Sequence, residues 1–94
     1  MVKSSYGRKA AVKLVYFAWV RERIGRNGEE IALPDSVVTA GDLLEWLKRR
    51  GPEYEHALAE PRAIRIAVDR VHARPETLLA GTHEVALFPP MTGG

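Results

Sequence analysis

No cysteine occurs in the 94 residues. That absence removes a disulfide framework, a thiolate metal site and a nucleophilic thiol together. No apolar run approaches the ~20 residues that a membrane-spanning helix requires. The opening Met1-Val2-Lys3-Ser4-Ser5-Tyr6-Gly7-Arg8-Lys9 also has no apolar segment of signal-peptide type. The expectation is a soluble, cytoplasmic protein with no membrane partner. Other signatures are missing too. Ser4, Ser5 and Ser36 have no Gly-x-Ser-x-Gly context, and the scattered glycines form neither a phosphate loop nor a dinucleotide fingerprint. His56, His72 and His83 fall at no metal-ligand spacing, so no metal is expected. The formal net charge of +2 is small, and its source is local. Lys3, Arg8 and Lys9 put three of the 14 basic residues into the first ten positions; the remaining 11 face 12 acidic residues. A body this near neutral offers no phosphate-tracking groove, and no nucleic-acid partner is expected.

What is present suits one compact domain. Ninety-four residues with 46% hydrophobic content can bury one core but not enclose a large active site. Any chemistry is therefore shared with a partner. Residues 1–10 are expected to be a disordered N-terminal extension. Residues 11–18 are rich in β-branched and aromatic side chains and predict a largely buried strand. One helical turn over 20–24, a chain reversal at Gly25-Arg26-Asn27-Gly28 and a second strand over 29–33 follow.

Residues 40–50 predict the main helix. Thr39 caps it, Leu43, Leu44 and Leu47 form an apolar stripe, and Gly51 stands ready as a left-handed cap before Pro52. Within it, Glu45 is placed to pair with Arg49. A short helix over 53–60 carries Tyr54, Ala57 and Leu58 inward. Ile64, Ile66 and Val68 alternate with wetter positions as in a half-buried strand. Asp69-Arg70 turns that strand back, residues 75–79 predict a helical turn, 81–83 a loop and 84–88 a last strand. Two strands, a helix and then further strands imply an α+β fold, with a mixed sheet of four to five strands wrapped over one main helix. Trp19 and Trp46 are expected to pack at the core or its edge.

The chain ends in Phe88-Pro89-Pro90-Met91-Thr92-Gly93-Gly94. Pro89 and Pro90 lack amide hydrogens and fix φ, so they stop the sheet ladder and lead residues 89–94 away as an extended tail. Gly93 and Gly94 add two positions without side chains, thin enough to thread a channel and open to attack at the last carbonyl. An adenylating enzyme can turn that carboxylate into an acyl-adenylate. Displacement of the leaving group by a sulfur nucleophile gives a thiocarboxylate, which stores sulfur without any cysteine in this chain.

Two segments at opposite ends of the domain carry a resemblance. Lys13-Leu14-Val15-Tyr16-Phe17-Ala18-Trp19-Val20-Arg21-Glu22-Arg23-Ile24-Gly25 resembles the first strand and turn of the small subunit of molybdopterin synthase, a ubiquitin-like sulfur carrier family. Ala86-Leu87-Phe88-Pro89-Pro90-Met91-Thr92-Gly93-Gly94 is similar to that family's ending almost residue for residue. The resemblance covers residues 12–94 and implies a β-grasp (ubiquitin-like) domain over 11–88. It also implies a cycle. A ubiquitin-activating-like enzyme uses ATP and magnesium to adenylate Gly94, a sulfur donor makes the thiocarboxylate, and the tail enters the large synthase subunit. There sulfur passes to cyclic pyranopterin monophosphate in molybdenum cofactor biosynthesis.

On this reading the chain binds no cofactor itself and is cosubstrate more than catalyst, within a heterotetramer of two small and two large subunits. Gly94 bears the acyl-adenylate and then the sulfur, and Thr92 and Gly93 lie in the inserted tail. Phe88, Pro89, Pro90 and Met91 pack at the partner surface, with a core position for Phe88 equally open. Arg21 is a candidate contact for the adenylating enzyme, and a surface ion pair explains it equally well. Carriers for thiamine or tRNA thiolation, a protein modifier joining Gly94 to a lysine, and an inert interaction module are the alternatives. The chain departs from the family's pattern in its first ten residues, in Gly81-Thr82-His83 where a Gly-Asp turn is usual, and in Trp19 where a polar residue is frequent.

Overall fold

The computed structural model describes residues 11–90. Within that span the element order is β1 (Ala11–Tyr16), α1 (Ala18–Ile24), β2 (Gly28–Ala32), α2 (Ala40–Lys48), α3 (Pro52–Ala57), a 3₁₀ turn (Pro61–Ala63), β3 (Arg65–Val68), β4 (Val71–Ala73) and β5 (Glu84–Phe88). The five strands form one sheet in the order β2-β1-β5-β3-β4. Strands β1 and β5 run parallel and the other neighbours antiparallel. This is the β-grasp arrangement that the family resemblance implies, with the last strand at the centre of the sheet.

Alternation along the strands decides which face is dry. Val12, Leu14 and Tyr16 of β1, Val85 and Leu87 of β5 and Ile66 of β3 are buried, and they meet Leu43, Leu44 and Leu47 of α2 in one core. Burying each such side chain contributes about 1.5–3 kcal/mol. Helix α2 starts at a full capping box. Thr39 Oγ1 accepts from the Asp42 amide, and Asp42 Oδ2 accepts from the Thr39 amide, both at 3.1 Å. Two of the helix's otherwise orphaned donors are thereby satisfied. Tyr54, Ala57 and Leu58 are buried beside it, as the sequence predicts.

Five sequence expectations are corrected. Strand β1 stops at Tyr16, because Ala18 takes φ +52 and opens a helix of two turns over residues previously divided between strand and single turn. Nor is β1 buried throughout, since Ala11 and Lys13 are exposed on its outer face. Gly51 is not a left-handed cap: its φ of 164 is extended backbone, and it stands at the N-terminus of α3 while α2 closes at Arg49. Residues 75–79 make a turn and a bridge from Leu78 to Thr39 instead of a helical turn. Glu45 pairs with Lys48 at 3.8 Å, not with Arg49.

Candidate functional site

The site is built around the end of β5. Because β5 is the central strand, its neighbours hold Leu87 on both sides and Phe88 on the β3 side. Leu87 lies in register with Tyr16 of β1 and with Ile66 of β3, and Phe88 lies opposite Arg65 of β3. Beyond the ladder the Phe17 amide donates to the Leu87 carbonyl at 3.1 Å, so the start of α1 is tied to the last rung before the prolines. Phe88, Pro89 and Pro90 are half-buried. Neither proline has an N–H, and the ladder ends where the sequence predicts.

Phe88 faces outward. Its ring meets that of His72 edge-on, with centroids 5.8 Å apart, while Val85 and Leu87 take the core side. The two readings of Phe88 are thus resolved toward the outer sheet face. Register places a small apolar row beside it: Val15 of β1 opposite Ala86 of β5, and Ala86 opposite Ala67 of β3. Phe17, 47% exposed, adds a large apolar side chain at the same end of the domain. Composition gives no sign of this face, because Val15, Ala67 and Ala86 acquire meaning only when the strand register is known. Its one sequence signal is the outward phase of the three strands.

Arg21 is exposed on α1, and its backbone carbonyl accepts from the Gly25 amide at 2.8 Å. It is accessible to a partner, and among the described residues it makes no ion pair. Trp19 is half-buried against the core, with the Arg23 guanidinium 4.3 Å from its ring centroid, an edge-packed residue as expected. Met91, Thr92, Gly93 and Gly94 lie outside the described residues, as do residues 1–10.

A charged cluster fixes the strand next to the tail root. Glu29 Oε2 accepts from Tyr16 Oη at 2.7 Å and from Tyr54 Oη at 2.5 Å, while its Oε1 meets Arg50 at 3.0 Å and Arg26 at 3.1 Å. Burial alone would raise the Glu29 pKa. The hydrogen bonds from Tyr54, Tyr16 and Arg50 outweigh it and hold the carboxyl below its ordinary value of 4.5. Burial, then the bond to Glu29, pushes the Tyr16 phenol well above its usual range, so it remains a donor. At the opposite end Asp69 Oδ1 accepts from the His83 and Glu84 amides, each at 2.9 Å. That bond supplies the start of β5 where Gly81-Thr82-His83 departs from the family's usual turn. Backbone donation from Glu84 and His83 lowers the Asp69 pKa.

The described residues hold no cluster of three or more His, Cys, Asp or Glu side chains that could bind a metal, and no helix among them is long and apolar enough to cross a membrane. With its outward apolar row at the root of a proline-led tail, the molecule has the architecture of a ubiquitin-like carrier of the β-grasp class. Residues 14–94 match the ThiS family, and the chain belongs to that family of sulfur carriers. It is 31% identical over 83 residues to the molybdopterin synthase sulfur carrier subunit of Haemophilus influenzae, covering 88% of this chain and 99% of that protein. Among solved structures it is similar to a Pyrococcus furiosus protein described as subunit 1 of a molybdopterin converting factor (TM-score 0.71, 29% identity, 88% of this chain and 100% of that one). It is also similar to small archaeal modifier protein 1 of Haloferax volcanii (TM-score 0.65, 26% identity, 87% and 99%).

Proposed function

We propose that the chain is the sulfur carrier subunit of a molybdopterin synthase and that the Gly94 carboxylate carries the sulfur. Attack of that carboxylate on the α-phosphate of ATP, with magnesium held by the adenylating partner, forms a mixed anhydride and releases pyrophosphate. A sulfide-equivalent nucleophile then attacks the acyl carbon, AMP leaves with the bonding pair, and a thiocarboxylate remains. The large subunit receives the tail and passes the sulfur to cyclic pyranopterin monophosphate. Thr92 and Gly93 thread its channel, and Phe88, Pro89, Pro90 and Met91 seat at its mouth. Arg21 on α1 serves the encounter with the adenylating enzyme. A heterotetramer in the cytoplasm, with no nucleic acid and no cofactor on this chain, belongs to the same proposal.

The observation that carries this reading is the placement of Phe88-Pro89-Pro90 at the end of the central strand beside an outward apolar row, in a chain whose family match runs through residue 94. The test is reconstitution of the thiocarboxylated chain with a large synthase subunit and the pterin precursor, with the dithiolene product expected. A thiocarboxylate that forms normally but yields no product would redirect the sulfur to another acceptor, such as a thiamine precursor or a tRNA base. The likeness to small archaeal modifier protein 1 favours a second reading, in which the same activated carboxylate joins a lysine amine.

A further inference from the structure

The outer face of the sheet is charged unevenly. On the β1–β2 side Lys13 stands in register between Glu84 and Glu30, so that cation has carboxylates on both flanking strands. On the β3–β4 side Arg65 stands opposite Phe88, and His72 stands opposite Ala67 with its ring against Phe88. Both are exposed, and among the described residues neither makes an ion pair. The acids close to them are engaged elsewhere. In the cleft that Arg65 lines, Asp42 Oδ2 accepts from the Val38 and Thr39 amides, Glu45 lies 3.8 Å from Lys48 and Glu76 lies 4.0 Å from Arg74. The outer face is therefore an apolar row, Val15-Ala86-Ala67 with Phe88, on which carboxylates stand in register with the cation of the β1–β2 side and none stands in register with Arg65 on the β3–β4 side.

We propose that this border selects the partner. The surface that receives the tail carries an apolar patch edged with carboxylates on the β3–β4 side, and Arg65 is the specificity-determining residue that engages them. A guanidinium suits this role because its planar fork binds a carboxylate through two parallel hydrogen bonds. Its position beside Phe88 makes the contact continuous with the root of the tail. An apolar centre with one cationic margin fits a protein surface, whereas a phosphate backbone calls for a track of cations. The inference rests on the reading that a large synthase subunit receives the tail. It adds to that reading the sign and place of the partner's charge.

The experiment measures association of the full chain with the large synthase subunit from the same genome, as wild type, R65A and R65E, over a series of salt concentrations. Wild-type association slows as salt rises. R65E associates at least about tenfold more slowly at low salt and loses most of that salt dependence, because rim charges act mainly on encounter. R65A falls between them, and all three melt at similar temperatures because Arg65 is exposed. R65E associating at the wild-type rate with an unchanged salt dependence overturns the charged border and leaves the carrier reading standing. Failure of the wild-type chain to bind at any salt concentration overturns the reading that a large synthase subunit receives the tail, and the inference with it.

Discussion

The phenol of Tyr16 donates to Glu29 Oε2 at 2.7 Å, joining the last residue of β1 to the inner edge of β2. Tyr54 of α3 donates to the same oxygen, and two guanidinium groups hold the other. Removing the acceptor in Glu29→Ala leaves the Tyr16 hydroxyl buried without a partner, at a cost of about 2–3 kcal/mol. The melting midpoint should fall by roughly 10 °C or more at pH 7. The sign of the pH effect follows from the depressed Glu29 pKa. Stability from this carboxylate is present above the unfolded value near 4.5 and is lost as pH falls through the lower folded value. The gap between wild type and variant should therefore narrow in acid. Thermal melts across pH check it, and a gap that widens below pH 4 contradicts the assignment.

The hairpin between β3 and β4 has a two-residue turn, with Asp69 at φ +49 and Arg70 at φ +71. Both are left-handed, as a type I′ turn requires, and an arginine pays about 1–2 kcal/mol for that conformation. Arg70→Gly should stabilise the domain by about 0.5–1 kcal/mol after the extra entropy of the unfolded glycine is subtracted. A denaturant midpoint that shifts downward would show that the Arg70 side chain contributes more than the strain it bears.

Gly28 is a position where only glycine fits. A Cβ built there would lie 2.3 Å from the Leu14 carbonyl oxygen, a backbone atom that cannot swing aside. Gly28→Ala should push β2 off β1 and cost about 1–3 kcal/mol, read as loss of amide protection along Gly28–Ala32. Unchanged protection and stability would mean that the two strands separate freely at this rung.

Much of this architecture is legible in the sequence, and the exceptions have physical causes. Strand β5 and the capped start of α2 are local patterns, an apolar run stopped by two prolines and a Thr-x-x-Asp box, and both appear where they are read. The overrun of β1 into residues 17 and 18 arises because nothing about an alanine announces φ +52. Gly51 misleads for a related reason: the following Pro52 starts a new helix, so its neighbour is drawn into extended backbone. The Glu29 cluster joins residues 13 and 25 positions apart, and no local pattern encodes it. Of the candidate site, Phe88, Pro89 and Pro90 were legible from their chemistry, whereas Val15, Ala67, Ala86 and Arg65 required the register of three strands.

The tail chemistry predicts a sharp separation of function from stability. Deleting Gly94, or adding one residue after it, should abolish sulfur transfer and leave the melting midpoint within about 1 °C, because the core of the described residues is complete with β5. Gly93 replaced by a bulky residue should impair transfer through the channel or the adenylation site. Transfer assays paired with melts check all three variants, and full activity in the extended chain is the outcome that sinks the mechanism.

The most direct test is the intact mass of the chain after incubation with ATP, magnesium, an adenylating enzyme and a sulfide source. One oxygen of the Gly94 carboxylate replaced by sulfur adds about 16 Da, as displacement at an activated carbonyl requires. That gain, absent when Gly94 is deleted, is the predicted result. An unchanged mass with an enzyme shown to adenylate a related carrier would contradict the sulfur-carrier account.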